Sequence, residues 1–224
     1  MTTPLVLVSS DKNGNALPGR SGLSSVSDDG NLVTFTNLTG DGTSPFYQVY
    51  LKNVSTGDIT AVGTSLGEQT QFSRISGDGS TVVFEANSQA SFGDTSNAQI
   101  YLYDVATQGV TLVTKSTSNT VSNGSSPLNP SISDNGGVVA FDSTATDLVN
   151  GISGLTNPNN VDQVYIHTAG GNQLISKIGT KAFNDNSWNA YVSAAGNFVA
   201  FESFASNIGL GASGHQDEVY LYNV

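Results

Sequence analysis

A serine, a tight turn and a short apolar strand ending in phenylalanine recur four times along the chain. The copies are Ser27-Asp28-Asp29-Gly30 to Phe35, Ser76-Gly77-Asp78-Gly79 to Phe84, Ser133-Asp134-Asn135-Gly136 to Phe141 and Ser193-Ala194-Ala195-Gly196 to Phe201. Glycine always stands three residues after the serine and phenylalanine eight after it. A repeat at a near-regular interval means one supersecondary unit used several times, because such a unit buries its apolar face only against its neighbours. The marker serines are spaced 49, 57 and 60 residues apart. The variation falls in loops, where added length costs little entropy.

A second signature follows each phenylalanine after a polar loop. It reads Gln48-Val49-Tyr50-Leu51, Gln99-Ile100-Tyr101-Leu102, Gln163-Val164-Tyr165-Ile166 and Glu218-Val219-Tyr220-Leu221. Turn signals such as Asp29-Gly30 and Asn135-Gly136 suit hairpins. The strands after them are nearly continuously apolar, as in Val138-Val139-Ala140-Phe141, which implies cover on both faces. No segment shows a helical apolar period. The expected fold is therefore all-β, with four antiparallel strands per unit, and both period and strand count match a propeller blade. The units run over about 10–63, 64–114, 115–176 and 177–224 plus 1–9 of a single domain. The last unit has three strands. Leu5-Val6-Leu7-Val8-Ser9 aligns with the fourth-strand class represented by Thr111-Leu112-Val113-Thr114. The expectation is a four-bladed propeller closed by that N-terminal strand pairing with the last blade, which would remove an open sheet edge. The same exchange between two chains would give eight blades.

The units resemble the WD-like and TolB-type β-propeller repeats of bacterial proteins. The likeness rests on the Ser-x-Asp-Gly turn, the Val-x-Phe strand and the strands Val49 to Asn53, Ile100 to Asp104 and Val219 to Asn223. The third copy, Ser131 to Ser143, is nearest to the pattern, and the fourth departs from it with Ala194-Ala195 in place of the acidic turn. The resemblance implies the fold over nearly the whole chain. It implies little about activity, because function on such scaffolds sits in the loops. Propellers of this family usually carry more blades.

Charge narrows the partners. Seven Lys and Arg against 18 Asp and Glu give a net charge of −11. The cations are scattered, so nucleic acid, which needs clustered Lys or Arg, is not expected. An anionic membrane is disfavoured likewise, and no stretch is long enough for membrane insertion. The chain has no cysteine, which removes disulfides, thiolate metal sites and thiol nucleophiles. The N-terminus lacks the basic region and long apolar run of a signal peptide. A cytoplasmic location or a place in an assembled particle is expected.

Several residue groups invite a chemical reading. The aligned phenylalanines and tyrosines suit packing between blades. Thr36, Glu85, Asp142 and Glu202 follow the marker phenylalanines. Those carboxylates would accept hydrogen bonds from a neighbouring blade or converge on a cation near the axis. Asp11, Asn13 and Asn15 begin like a calcium loop, but Ala16 stands where the glycine belongs and Gly22 where the bidentate glutamate belongs. Ca2+ is the one cofactor this suggests; an ordinary turn explains the same residues. Gly63-Thr64-Ser65-Leu66-Gly67 has the form of an esterase elbow, but a short polar loop follows it instead of a helix. The two histidines, His167 and His215, belong to different blades. No acid-base or nucleophile constellation is evident, so the chain is not expected to be an enzyme.

The polar loops at one end of the units remain. Trp188 lies there in the stretch Phe183 to Asn189, among Asp185, Asn186 and Asn189. An aromatic plate with amides around it suits a carbohydrate or another protein. The expected function is a non-catalytic interaction module using that loop face. The alternative is a structural or decoration component that self-associates into a larger assembly, such as a virus particle or surface layer.

Overall fold

A computed structural model describes residues 5–39, 46–67, 69–87, 98–126, 130–155, 161–209 and 216–224. Parts of the polar loops between strands, and His215, lie outside the described residues. Within them the chain is all strand apart from one 3-10 turn, Thr64–Leu66.

The first sheet contains β1 (Arg20–Val26), β2 (Leu32–Thr39), β3 (Phe46–Asn53) and β4 (Ile59–Ala61), in that spatial order. The second contains β5 (Thr70–Ile75), β6 (Thr81–Asn87), β7 (Ala98–Asp104) and β8 (Val110–Leu112). The third contains β9 (Ser131–Ile132), β10 (Val139–Ser143), β11 (Gln163–Thr168) and β12 (Gly171–Leu174). A small hairpin, β13 (Lys177–Ile178) with β14 (Lys181–Ala182), leads to the fourth sheet. That sheet has three strands, β15 (Ser187–Val192), β16 (Phe198–Ser203) and β17 (Glu218–Asn223). Every ladder within the sheets is antiparallel.

The repeat has an atomic basis. Each marker serine accepts the backbone N–H five residues on through its Oγ, at 3.0 Å for Leu32, Thr81 and Val138 and 3.1 Å for Phe198. The same hydroxyl donates to Asp29, Asp78 and Asn135. Ala195 ends that second bond in the fourth copy. The turn glycines Gly30, Gly79, Gly136 and Gly196 have φ between 69° and 75°, a region that side chains with a Cβ enter only at a cost. Each marker phenylalanine pairs across the ladder with its tyrosine, ring centroids 5.7 to 5.9 Å apart. Offset pairs of this kind add about 0.5–1.5 kcal/mol beyond burial.

The sheets stack in chain order through three apolar layers. Val49, Leu51 and Val62 of the first sheet meet Phe84, Tyr101 and Leu112 of the second. Val83, Ile100 and Val113 meet Phe141, Tyr165 and Leu174. Val164, Ile166 and Ile175 meet Val199, Phe201 and Tyr220. The turns are bonded forward as well: Asp28 N donates to Gly77 O, Asp78 N to Asp134 O and Asp134 N to Ala194 O, at 2.8 to 2.9 Å.

The expected closure by the N-terminal strand is not seen among the described residues. Among the described residues β17 is laddered to β16 alone. Residues 5–9 instead run beside the first sheet, where Val6, Val8 and Ser9 share a cleft with Ser21, Gly22, Val33 and Phe35. The chain just after them is held by the buried Lys52, whose Nζ donates to Ser10 O, Asp11 O and Gly57 O. A buried ammonium needs acceptors of this kind.

Candidate functional site

The first strands of the sheets, β1, β5, β9 and β15, border one cavity, the bore. Three of them carry the same defect. The ladder slips between Gly22 and Ser25, between Gln71 and Arg74, and between Trp188 and Tyr191. At each slip a non-glycine residue has positive φ: Leu23 at 53°, Phe72 at 49° and Asn189 at 53°. Bulges re-aim side chains, and a left-handed residue with a Cβ costs about 1–3 kcal/mol, held by its surroundings. The corresponding place in the third unit falls outside the described residues.

The bulge decides what happens to the residues after the marker phenylalanines. Gly22, Gln71 and Trp188 face Thr36, Glu85 and Glu202 across the ladder. Gln71 Nε2 donates to Glu85 Oε1 at 3.0 Å, and Asn189 Nδ2 to Glu202 Oε2 at 3.1 Å. Glu85 and Glu202 thus each accept from an amide of their own sheet's inner strand, beside the bulge. Asp142 is buried, and its carboxyl is pushed up to about 8, by burial first and then by the nearby charges of Asp162 and Glu85. Burial raises Asp162 as well.

The predicted loop-face residues divide. Trp188 is on β15, an inner strand, and not in a loop. Its half-buried ring meets Phe204 edge-on at 4.6 Å. Asn189 is exposed at the bulge. Asp185 Oδ1 accepts the N–H of Asn186 at 2.8 Å, and Asn186 Oδ1 accepts the N–H of Asp162 at 2.9 Å. Asp185 and Asn186 therefore knit the third and fourth sheets together, while Trp188, Asn189 and Glu202 form the open part of the group.

The calcium-like residues sit in a hairpin bridged by Ser10 and Ala16. Asp11 Oδ1 accepts from the N–H groups of Asn13 and Asn15, and Oδ2 from Asn15 Nδ2, at 2.8 to 2.9 Å. The Asn15 bonds hold the Asp11 carboxyl below its usual range. The hairpin recurs at Lys115 and Val121, where Ser116 Oγ accepts Thr120 N as Asp11 accepts Asn15 N. It recurs again as β13 and β14. No cluster of three His, Cys, Asp or Glu suited to a metal occurs among the described residues.

The esterase-like pattern is a capped turn. Gly63 and Gly67 flank Thr64–Leu66 at φ 75° and 70°. A Cβ at Gly63 would stand 2.7 Å from the Phe84 ring, so packing explains that glycine. His167 Nδ1 is hydrogen-bonded with Asn172 Oδ1 at 2.9 Å.

The bore gathers residues that the sequence offers only as parts of the repeated turn. A cavity of about 230 Å³ takes Asp28 from the first unit, Arg74 and Gly77 from the second, Asp134 from the third and Tyr191 from the fourth. The Arg74 guanidinium lies 5.4 Å from the Tyr191 ring centroid, and its Nε is buried without a hydrogen-bond partner. A Cβ on Gly77 would stand 2.6 Å from Asp28 Oδ2 and 2.9 Å from Asp134 Cγ, so two carboxylates converge over that glycine. Asp29, Asp78 and Asn135 rim the entrance. The signal was present in the second position of the repeated turn, which reads Asp, Gly, Asp, Ala. Only stacking of the sheets brings those positions together.

No protein-family model and no curated protein matches the chain by sequence. Solved structures match by shape. TolB from Acinetobacter baumannii aligns with a TM-score of 0.52 at 17% identity, covering 92% of this chain and 41% of TolB. A prolyl endopeptidase aligns at 0.56 and 13% identity, covering 91% of this chain and 28% of its own. An oligogalacturonate lyase from Vibrio parahaemolyticus aligns at 0.51 and 12% identity, covering 80% and 44%. The chain spans less than half the length of each. At these identities the likeness is one of fold, and it agrees with the repeat, the sheet order and the stacking: the chain has a TolB-like β-propeller fold.

Proposed function

We propose that the chain is a non-catalytic interaction module whose bore mouth holds a segment of a partner protein. The observation that carries this reading is the cavity shared by all four units, in which Arg74 faces Asp28 and Asp134 with no ion pair of its own among the described residues. A cationic group of the partner would sit on the acidic rim, and a carbonyl or carboxylate would reach the guanidinium, which offers a planar fork of donors. Selection of peptides from a random display library tests it. Arg74→Ala and the pair Asp28→Asn with Asp134→Asn should each weaken the selected peptides at least tenfold, and the rim variant should lose most at low salt. Peptides that bind all three proteins equally would sink this reading.

A second reading places a carbohydrate at the opposite mouth. It is favoured by Trp188 standing half-open beside Asn189 and Glu202, an aromatic face with an amide and a carboxylate. Glycan-array binding lost on Trp188→Ala, with Arg74→Ala unaffected, would support it. Binding unchanged by Trp188→Ala would remove it.

A further inference from the structure

The two ends of the stack carry complementary bonding patterns. In the first three sheets the third strand is flanked by a fourth segment with a fixed bond pattern. Val49 O accepts Val62 N, Ile100 O accepts Val113 N and Val164 O accepts Ile175 N, at 2.8 to 2.9 Å. The N–H groups of Ile100 and Val164 donate to the hydroxyls of Thr114 and Ser176 in that segment, and that of Val49 to Thr70 at the start of β5. Val219 is the equivalent residue of β17, and among the described residues no fourth strand stands beside it. Its side chain is 74% exposed and that of Leu221 71%, whereas Val49, Ile100 and Val164 are at most 1% exposed.

The N-terminal run has the complementary form. Ser10 N donates to Val8 O as Lys115 N does to Val113 O and Lys177 N to Ile175 O. Leu17 N donates to Ser9 O as Ser122 N does to Thr114 O and Phe183 N to Ser176 O. Three hairpins of one kind therefore place Val8 where Val113 and Ile175 stand, and Ser9 where Thr114 and Ser176 stand. Among the described residues, Leu5–Ser9 has the bonding of a fourth segment with no third strand beside it, and β17 is a third strand with no fourth.

We propose that these halves join between two copies of the chain, residues 5–9 of each adding to β17 of the other. Val8 N then donates to Val219 O, Val219 N donates to Ser9 Oγ, and the Ser9 hydroxyl donates to Glu218, as Ser176 Oγ donates to Gln163 Oε1 at 2.7 Å. The occupant is a second copy because the interface is continuous with one the chain already makes three times. Its own run lies beside the first sheet, with the chain just after it held by Lys52, apart from its own β17. The Phe35–Tyr50 pair of the partner's first sheet brings the same aromatic face that Phe84–Tyr101 presents to Val49 and Leu51. Two such exchanges related by a two-fold axis close a ring of eight sheets.

The test uses the full chain, which contains no cysteine. Light scattering should give the mass of two copies at micromolar concentration. Val219→Asp, at a position exposed in the single chain, should return it to the mass of one copy with its circular dichroism unchanged. Mixing Val8→Cys with Val219→Cys protein under mild oxidation should give a covalent pair that either variant alone forms far less. A single-copy mass for the unsubstituted chain, or a Val8→Cys, Val219→Cys double variant that oxidises only within one chain, would overturn the proposal.

Discussion

Replacing Asp142 by asparagine should stabilise the protein, and by more as the pH rises. Burial, then Asp162 and Glu85, lift the Asp142 carboxyl from 3.8 to about 8. Between these values the folded chain keeps a proton that the unfolded chain releases. Where the folded state binds more protons, stability falls as pH rises. The penalty is absent below the unfolded value and grows through neutral pH until the folded group itself ionises. At pH 7, roughly three pK units above the unfolded value, 1.36 kcal/mol per unit makes it on the order of 4 kcal/mol. Asparagine keeps the shape of the protonated acid and cannot ionise. The difference between variant and parent should therefore be near zero at pH 4 and several kcal/mol at pH 7.5. Urea unfolding followed by the fluorescence of Trp188, the only tryptophan, measures it at pH 4, 6 and 7.5. A difference in midpoint that is the same at all three pH values, or a variant less stable than the parent at pH 7.5, would refute the reasoning.

Backbone approach and core packing give two further expectations. A Cβ on Gly124 would collide with the backbone nitrogen of Ala145, whereas one on Gly22 meets nothing within 4 Å; Gly124→Ala should destabilise the chain by about 1–3 kcal/mol, the scale of overpacked sites, read as a lower melting temperature, and Gly22→Ala by little. Phe84→Ala removes a fully buried ring from the layer between the first and second sheets and should cost about 3–5 kcal/mol in denaturant unfolding.

The parts legible in the sequence are those set by local chemistry. Ser76, Gly79, Phe84 and Tyr101 each act within one hairpin or its neighbouring strand, so their spacing survives in every unit. The recurring hairpin at 10–16, 115–121 and 177–182 was not legible as a repeat, because Asp11 and Ser116 do the same work with different side chains. The bulges were hidden for the opposite reason: Leu23, Phe72 and Asn189 share a backbone conformation and no chemistry, and two of them have no intrinsic taste for it. Trp188 was read as a loop residue because the polar stretch before it runs on without a break, while the ladder with Glu202 makes it strand. Asp28, Arg74 and Asp134 are far apart in the chain and meet only through the order in which the sheets stack.

The bonds between turns all point one way. Each turn gives its N–H to the turn that follows, from Asp28 to Gly77, from Asp78 to Asp134 and from Asp134 to Ala194. The stack consequently has a front and a back that differ chemically. Two fronts brought together would set donor against donor, so like ends cannot meet face to face. The bond between turns is therefore repeated only where one unit follows another head to tail, the order that leads to a closed ring or to an open filament.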